Sequence, residues 1–127
     1  TKKYASSNPQ DVDIVVVNLG TNDVSAKLYD AKNTQSVSEY EQIFTDLITN
    51  IGYRKDAKIV FITGVWNPEP ITAINGAITK LNSLGYNDVY TLRVKECKSG
   101  GGSHPTAQEH IEIADAIENC FKTNGII

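Results

Sequence analysis

The sequence predicts an α/β domain built on a parallel sheet, and three observations lead there. Two short β-branched runs, 13–19 and 58–64, lack polar alternation, as strands buried on both faces do, and a third strand-like run spans 88–94. Each is followed by a segment whose apolar residues recur at three- and four-residue spacing, the mark of an amphipathic helix. The resulting order, βαβαβα, implies right-handed crossovers and helices on both faces of the sheet.

The first strand is Asp13-Ile14-Val15-Val16-Val17-Asn18-Leu19, ended by Gly20. It carries none of the Lys, Pro or bulge signals that protect an edge, so it reads as central. Ser38 to Ile51 then spaces Tyr40, Ile43, Phe44, Leu47, Ile48 and Ile51 as a helix, with Ser38 as its N-cap and Gly52 as its stop. Lys58-Ile59-Val60-Phe61-Ile62-Thr63-Gly64 repeats the buried-strand pattern. Pro70 to Leu84, with Ile71, Ile74, Ile78 and Leu81 on one face, is the second helix and stops at Gly85. The third strand is Asp88-Val89-Tyr90-Thr91-Leu92-Arg93-Val94. Thr106-Ala107-Gln108-Glu109 has the spacing of a capping box and opens a last helix that turns Ile113, Ala114, Ile117 and Phe121 inward. Ligands of open α/β sheets bind beyond the carboxyl ends of the strands, which here are the loops 20–37, 64–69 and 95–105.

At 127 residues the chain is one domain's worth, enough to bury about two-thirds of the surface its unfolded form exposes. A net charge of -3, from 12 basic and 15 acidic residues without a basic block, argues against nucleic acid as a partner. No apolar run approaches the roughly 18 residues of a membrane span, so no membrane partner is expected. Cys97 and Cys120 lack zinc spacing and fall at distant points of the predicted elements, so both are expected as free thiols. Thr1-Lys2-Lys3-Tyr4-Ala5 has the charge of a signal peptide without an apolar stretch behind it. There is no Met, so the chain is expected to begin downstream of a natural start.

Three places could carry chemistry. Gly20-Thr21-Asn22-Asp23 follows the first strand, and its residues suit either plain turn duty or a neutral amide donor, Asn22, aimed at an oxyanion. His104, fixed between Pro105 and the capped helix, is either a general base at the rim or an exposed surface histidine, whereas His110 inside the helix reads as structural. Trp66, just after the second strand, either stacks on a sugar ring or roofs the edge of the core. Asp23, Glu96, Cys97 and His104 are scattered over the loops without ligand-pair spacing, so no metal and no other cofactor is expected.

Taken together, Gly20-Thr21-Asn22-Asp23 after one buried strand and His104-Pro105 before the last helix resemble the third and fifth blocks of the SGNH, or GDSL-type, serine esterase superfamily. The stretch Val15 to Asp23 looks most like the acetyl-ester hydrolases of carbohydrate esterase family 2. The resemblance covers nearly the whole chain. It implies a three-layer, flavodoxin-like parallel sheet of which residues 1–127 are the C-terminal part, with 1–12 as lead-in, 13–127 as βαβαβα and the N-terminal strands missing. It also implies a secreted, extracellular enzyme that removes O-acetyl groups from plant polysaccharide. Position by position, Asn22 matches the side-chain donor of the oxyanion hole, His104 the catalytic base, and Gly20 and Asp23 the shaping residues of the third block; Trp66 is the candidate substrate contact.

Two features of that family are absent. The Gly-Asp-Ser block that supplies the nucleophile precedes the third block in the family, and none of Ser6, Ser7, Ser25, Ser36, Ser38, Ser83, Ser99 and Ser103 has such a strand-to-turn setting. An upstream segment or a second chain is therefore expected to carry the nucleophile, and the chain alone is expected to be inactive. The Asp that precedes the family's His by three residues is Gly101 here. Some esterases of this type orient the imidazole with a main-chain carbonyl, which the glycine-rich stretch Ser99 to Ser103 is suited to present; Glu69 on the neighbouring loop is a weaker candidate for the acid. The rival readings are an inactive glycan-binding module and a protein-interaction domain.

Overall fold

The computed structural model describes residues 8–66, 69–97 and 104–127. The first seven residues of the lead-in with Ser6 and Ser7, Asn67-Pro68, and the glycine-rich stretch with Ser99, Gly101 and Ser103 lie outside the described residues. A 3-10 turn, Pro9–Asp11, leads into strand β1, Ile14–Val17. Then follow helices α1 (Thr21–Ser25) and α2 (Thr34–Thr49), strand β2 (Lys58–Thr63), helix α3 (Ile71–Ser83), strand β3 (Val89–Arg93) and helix α4 (Ala107–Thr123). The three strands form one sheet in the order β1-β2-β3, with both pairings parallel. The fold is thus α/β, with a three-stranded parallel sheet and helices on both faces, an arrangement compatible with a flavodoxin-like fold.

Strand periodicity assigns the two layers. Val15 pairs with Ile59 and Val17 with Phe61, so these four side chains share one face and meet Tyr40, Phe44 and Ile48 of α2 and Ala73, Ile74, Ala77 and Leu81 of α3. Val60 and Ile62 point the other way, where Ile113, Ala116, Ile117, Cys120 and Phe121 of α4 cover them. Ile59, Val60, Phe61 and Leu81 are fully buried. Each such side chain contributes about 1.5–3 kcal/mol relative to an exposed one. The capping box that opens α4 is formed in both directions, Glu109 N–H to Thr106 Oγ1 at 3.2 Å and Thr106 N–H to Glu109 Oε2 at 2.8 Å. Both cysteines are free, Cys97 buried and Cys120 half-buried.

Three expectations are corrected. Helix α2 starts at Thr34, not after Ser38, because the Asn33 side chain accepts the N–H groups of Gln35 and Ser36 and supplies a stronger cap upstream. The helix ends at Thr49, before Ile51; Ile43 on it and Ile51 just beyond it are 53% and 44% exposed, so the apolar stripe is wider than the surface beneath it. On α4, Ile113, Ile117 and Phe121 face inward as expected, but Ala114 is exposed and Ala116 and Cys120 complete the buried stripe. Strand β1 has a neighbour on one side only among the described residues, and Val16 on its α4 side is 46% exposed, since α4 lies over β2 and β3.

Candidate active site

The first wall of the site is set by a glycine. Gly20 sits at φ +106°, and a Cβ there would lie 2.5 Å from Pro70 Cγ and 3.2 Å from Phe44 Cζ. Only glycine combines that left-handed backbone with so close an approach, so the chain leaves β1 in a tight turn under α3 and α2. Gly20 is the N-cap of α1, which places Asn22 and Asp23 in its first turn with Asn22 exposed. The Tyr40 hydroxyl donates to Asp23 Oδ1 at 2.9 Å, and the Asp23 carbonyl accepts the Leu28 and Tyr29 N–H groups. Tyr40 in turn packs edge-on against Tyr29, with centroids 5.2 Å apart, and reaches Phe44 at 6.5 Å. Burial first, and then the Asp23 carboxylate, push the Tyr40 phenol above its ordinary pKa. Asp23 thereby ties the Asn22 turn to the aromatic core.

The second and third strand exits are laced to each other. Val94 N–H donates to Thr63 O at 2.8 Å and Cys97 N–H to Val65 O at 3.1 Å, extending the β2–β3 pairing into the loops. At Gly64, φ +97°, a Cβ would fall 2.2 Å from Val94 O, so this crossing also admits glycine alone. Glu69 turns its carboxylate to the backbone of its own loop, accepting from Gly64 N–H and from Trp66 N–H, which is a loop brace in place of the acid role. His104 is exposed and stands just before the Thr106 cap of α4. Its imidazole meets the half-buried Trp66 indole edge to face, with centroids 6.1 Å apart and planes at 79°.

These exits surround one open cavity of about 1130 Å³ at the carboxyl ends of the strands. Gly20, Asn22, Asp23, Trp66 and His104 all line it, whereas Glu69 does not. The cavity also includes residues that no motif marked: Ile43 and Leu47 of α2, Ile51 just after it, Glu96 and Cys97 after β3, and Ser25. The exposed apolar positions on α2 were the available signal, an excess of isoleucine on one stripe. Ser25 ends the short helix α1 and is not on a strand-to-helix turn. Burial, followed by the charges of Glu109 and Glu112, pushes the Cys97 thiol up, so it stays protonated at neutral pH and is a poor nucleophile. Among the described residues no three His, Cys, Asp or Glu side chains gather as metal ligands, and no described helix is long and apolar enough to cross a membrane.

Chemically, the cavity offers a neutral amide donor, an imidazole held against an aromatic ring, and an apolar flank. Comparison with protein-family models, with curated proteins and with solved structures gives no match.

Proposed function

We propose that this domain is the base-bearing part of a serine esterase of the SGNH type that hydrolyses O-acetyl esters of plant polysaccharide outside the cell. The observation that carries the reading is the convergence of Asn22 and His104, distant in sequence, on one cavity at the carboxyl ends of parallel strands, with Trp66 beside the imidazole. In this reading a serine hydroxyl attacks the ester carbonyl carbon and His104 takes its proton. Asn22 donates to the oxyanion as the tetrahedral intermediate forms. His104 returns the proton to the departing sugar oxygen, leaving an acetyl-serine. A water molecule then attacks the acetyl carbon and gives a proton to His104, which passes it to the serine oxygen as the intermediate collapses, releasing acetate and restoring the serine.

The serine comes from a segment that adds to the free side of β1, either upstream in the same polypeptide or on a second chain. Support for that placement is the groove beside the strand, lined by Val16, Leu19, Leu47 and Ile51, and its continuity with the cavity through Asn18 and Leu19. A strand laid there parallel to β1 would end at the cavity mouth. Acetate release from acetylated xylan by an N-terminally extended protein, lost in His104→Ala, is the result expected. The open cavity and the indole on its wall favour one rival, a glycan-binding module, and xylan binding without acetate release would replace the esterase reading with it.

A further inference from the structure

We propose that Glu69 is a positioning residue: its carboxylate holds Trp66 against His104, and the chain's single tryptophan thereby reports the protonation of that histidine. The proposal rests on the esterase reading only in naming His104 the base; the contact itself is measurable without any ester.

Gly64 is fixed against Val94 O, so the direction in which the chain leaves the sheet is set by backbone contact. Within two residues the indole must reach the rim, and here the N–H groups of Gly64 and Trp66 turn into the loop. One side chain serves both: Glu69 Oε2 accepts from Gly64 N–H, and Oε1 accepts from Trp66 N–H at 3.4 Å. Glu69 is itself immobilised, because its carbonyl accepts Ile71 N–H at 2.9 Å and the next residue, Pro70, is both the N-cap of α3 and the wall against which Gly20 packs. A carboxylate accepting two N–H groups across a loop locks that loop more firmly than either bond alone. The locked loop presents the indole to His104 at 6.1 Å and 79°. His104 is otherwise exposed, so the ring contact is what orients it among the described residues.

Sequence composition makes the test clean, since the chain has one Trp and two His. A protonated imidazole quenches an adjacent indole, so Trp66 emission should be stronger in alkaline than in acidic buffer. Asp23, Asp46, Glu96 and Cys97 share the cavity with His104, and Glu109 sits in the cap behind it, so His104→Gln is needed to separate their titration from that of the imidazole. The step should vanish in His104→Gln and persist in His110→Gln. In Glu69→Ala its amplitude should fall by more than half. Glu69→Gln, which keeps one carbonyl acceptor, should fall between the two. Far-UV circular dichroism checks that each variant is folded, and where Glu69→Ala is not, Glu69→Gln carries the test. A folded Glu69 variant with the full step, or a wild-type protein with no His104-dependent step, overturns the proposal. Loss of ester hydrolysis in the extended protein with the step intact would remove the esterase reading and leave this one standing.

Discussion

Gly20 and Asn22 show how backbone geometry makes an ordinary side chain available for chemistry. Replacing Gly20 by Ala adds a left-handed strain and a methyl group 2.5 Å from Pro70 Cγ. Gly20→Ala should therefore lose about 2 to 4 kcal/mol in urea unfolding, and a loss under about 1 kcal/mol would contradict the packing described here. Asn22 carries no such structural duty, being exposed in the first turn of α1. In the complete enzyme Asn22→Ala should lower kcat by about 10² to 10³ with KM nearly unchanged, as removal of a transition-state donor does, and steady-state kinetics with unchanged kcat would end its assignment. The glycine exit from β1 was legible in the sequence as a turn signal, but the short helix α1 that follows and the packing of Gly20 on Pro70 and Phe44 were not, because they depend on partners far along the chain. The brace from Glu69 was not, since nothing in its spacing tells that a carboxylate will fold back on Gly64 rather than reach His104.

Elements were legible where burial alone decides them. The three strands and the stops of α2 and α3 follow from apolar runs and glycine, and the observed strands lie inside the predicted ones. The start of α2 was misplaced because two competing caps, Asn33 and Ser38, lie within one helical turn or so, and the choice falls to the side chain that accepts two N–H groups. Ala114 was misassigned because an alanine on α4 is compatible with either face, and only the position of Tyr90 and Leu92 beneath the helix selects Ala116. At the amino ends of β2 and β3, away from the cavity, Lys58 Nζ meets Asp88 Oδ2 at 2.6 Å. The Lys58 hydrogen bond holds the Asp88 carboxyl below its usual range, and the same bond holds the Lys58 ammonium above its own. A lowered carboxyl pKa stabilises the fold above the unfolded value, about 3.9, and that contribution is lost as pH falls through the folded value. The raised ammonium contributes below its unfolded value, about 10.4, and loses its effect as pH rises through the folded one. Both side chains are one-third exposed, so the effect is modest. Asp88→Asn should melt a few degrees lower than wild type near neutral pH, with the two curves converging in strong acid; equal melting temperatures at neutral pH would mean the pair is solvent-screened to nothing.

At the scale of the whole molecule, the sheet is unbalanced. A parallel sheet ordinarily buries both faces of its strands, yet Val16 and Leu19 are 46% and 58% exposed, as are Ile43 of α2 and Ile51 just after it at 53% and 44%. These four positions and the cavity share one side of the molecule, which is why the account places the nucleophile-bearing segment there. The sequence marked β1 as central through its apolar residues, and no sequence pattern within the chain told which side a further strand would take; the order β1-β2-β3 leaves that side open. The central claim is that His104 and Asn22 are half of a site whose serine enters along β1. It is tested most directly by hydrolysis of an activated acetyl ester, measured on this chain alone and on the same chain with the segment encoded upstream of Thr1, each with and without His104→Ala. The account predicts no turnover above background for the chain alone and His104-dependent turnover for the extended protein; His104-dependent turnover by the chain alone, abolished by Ser25→Ala, would contradict it.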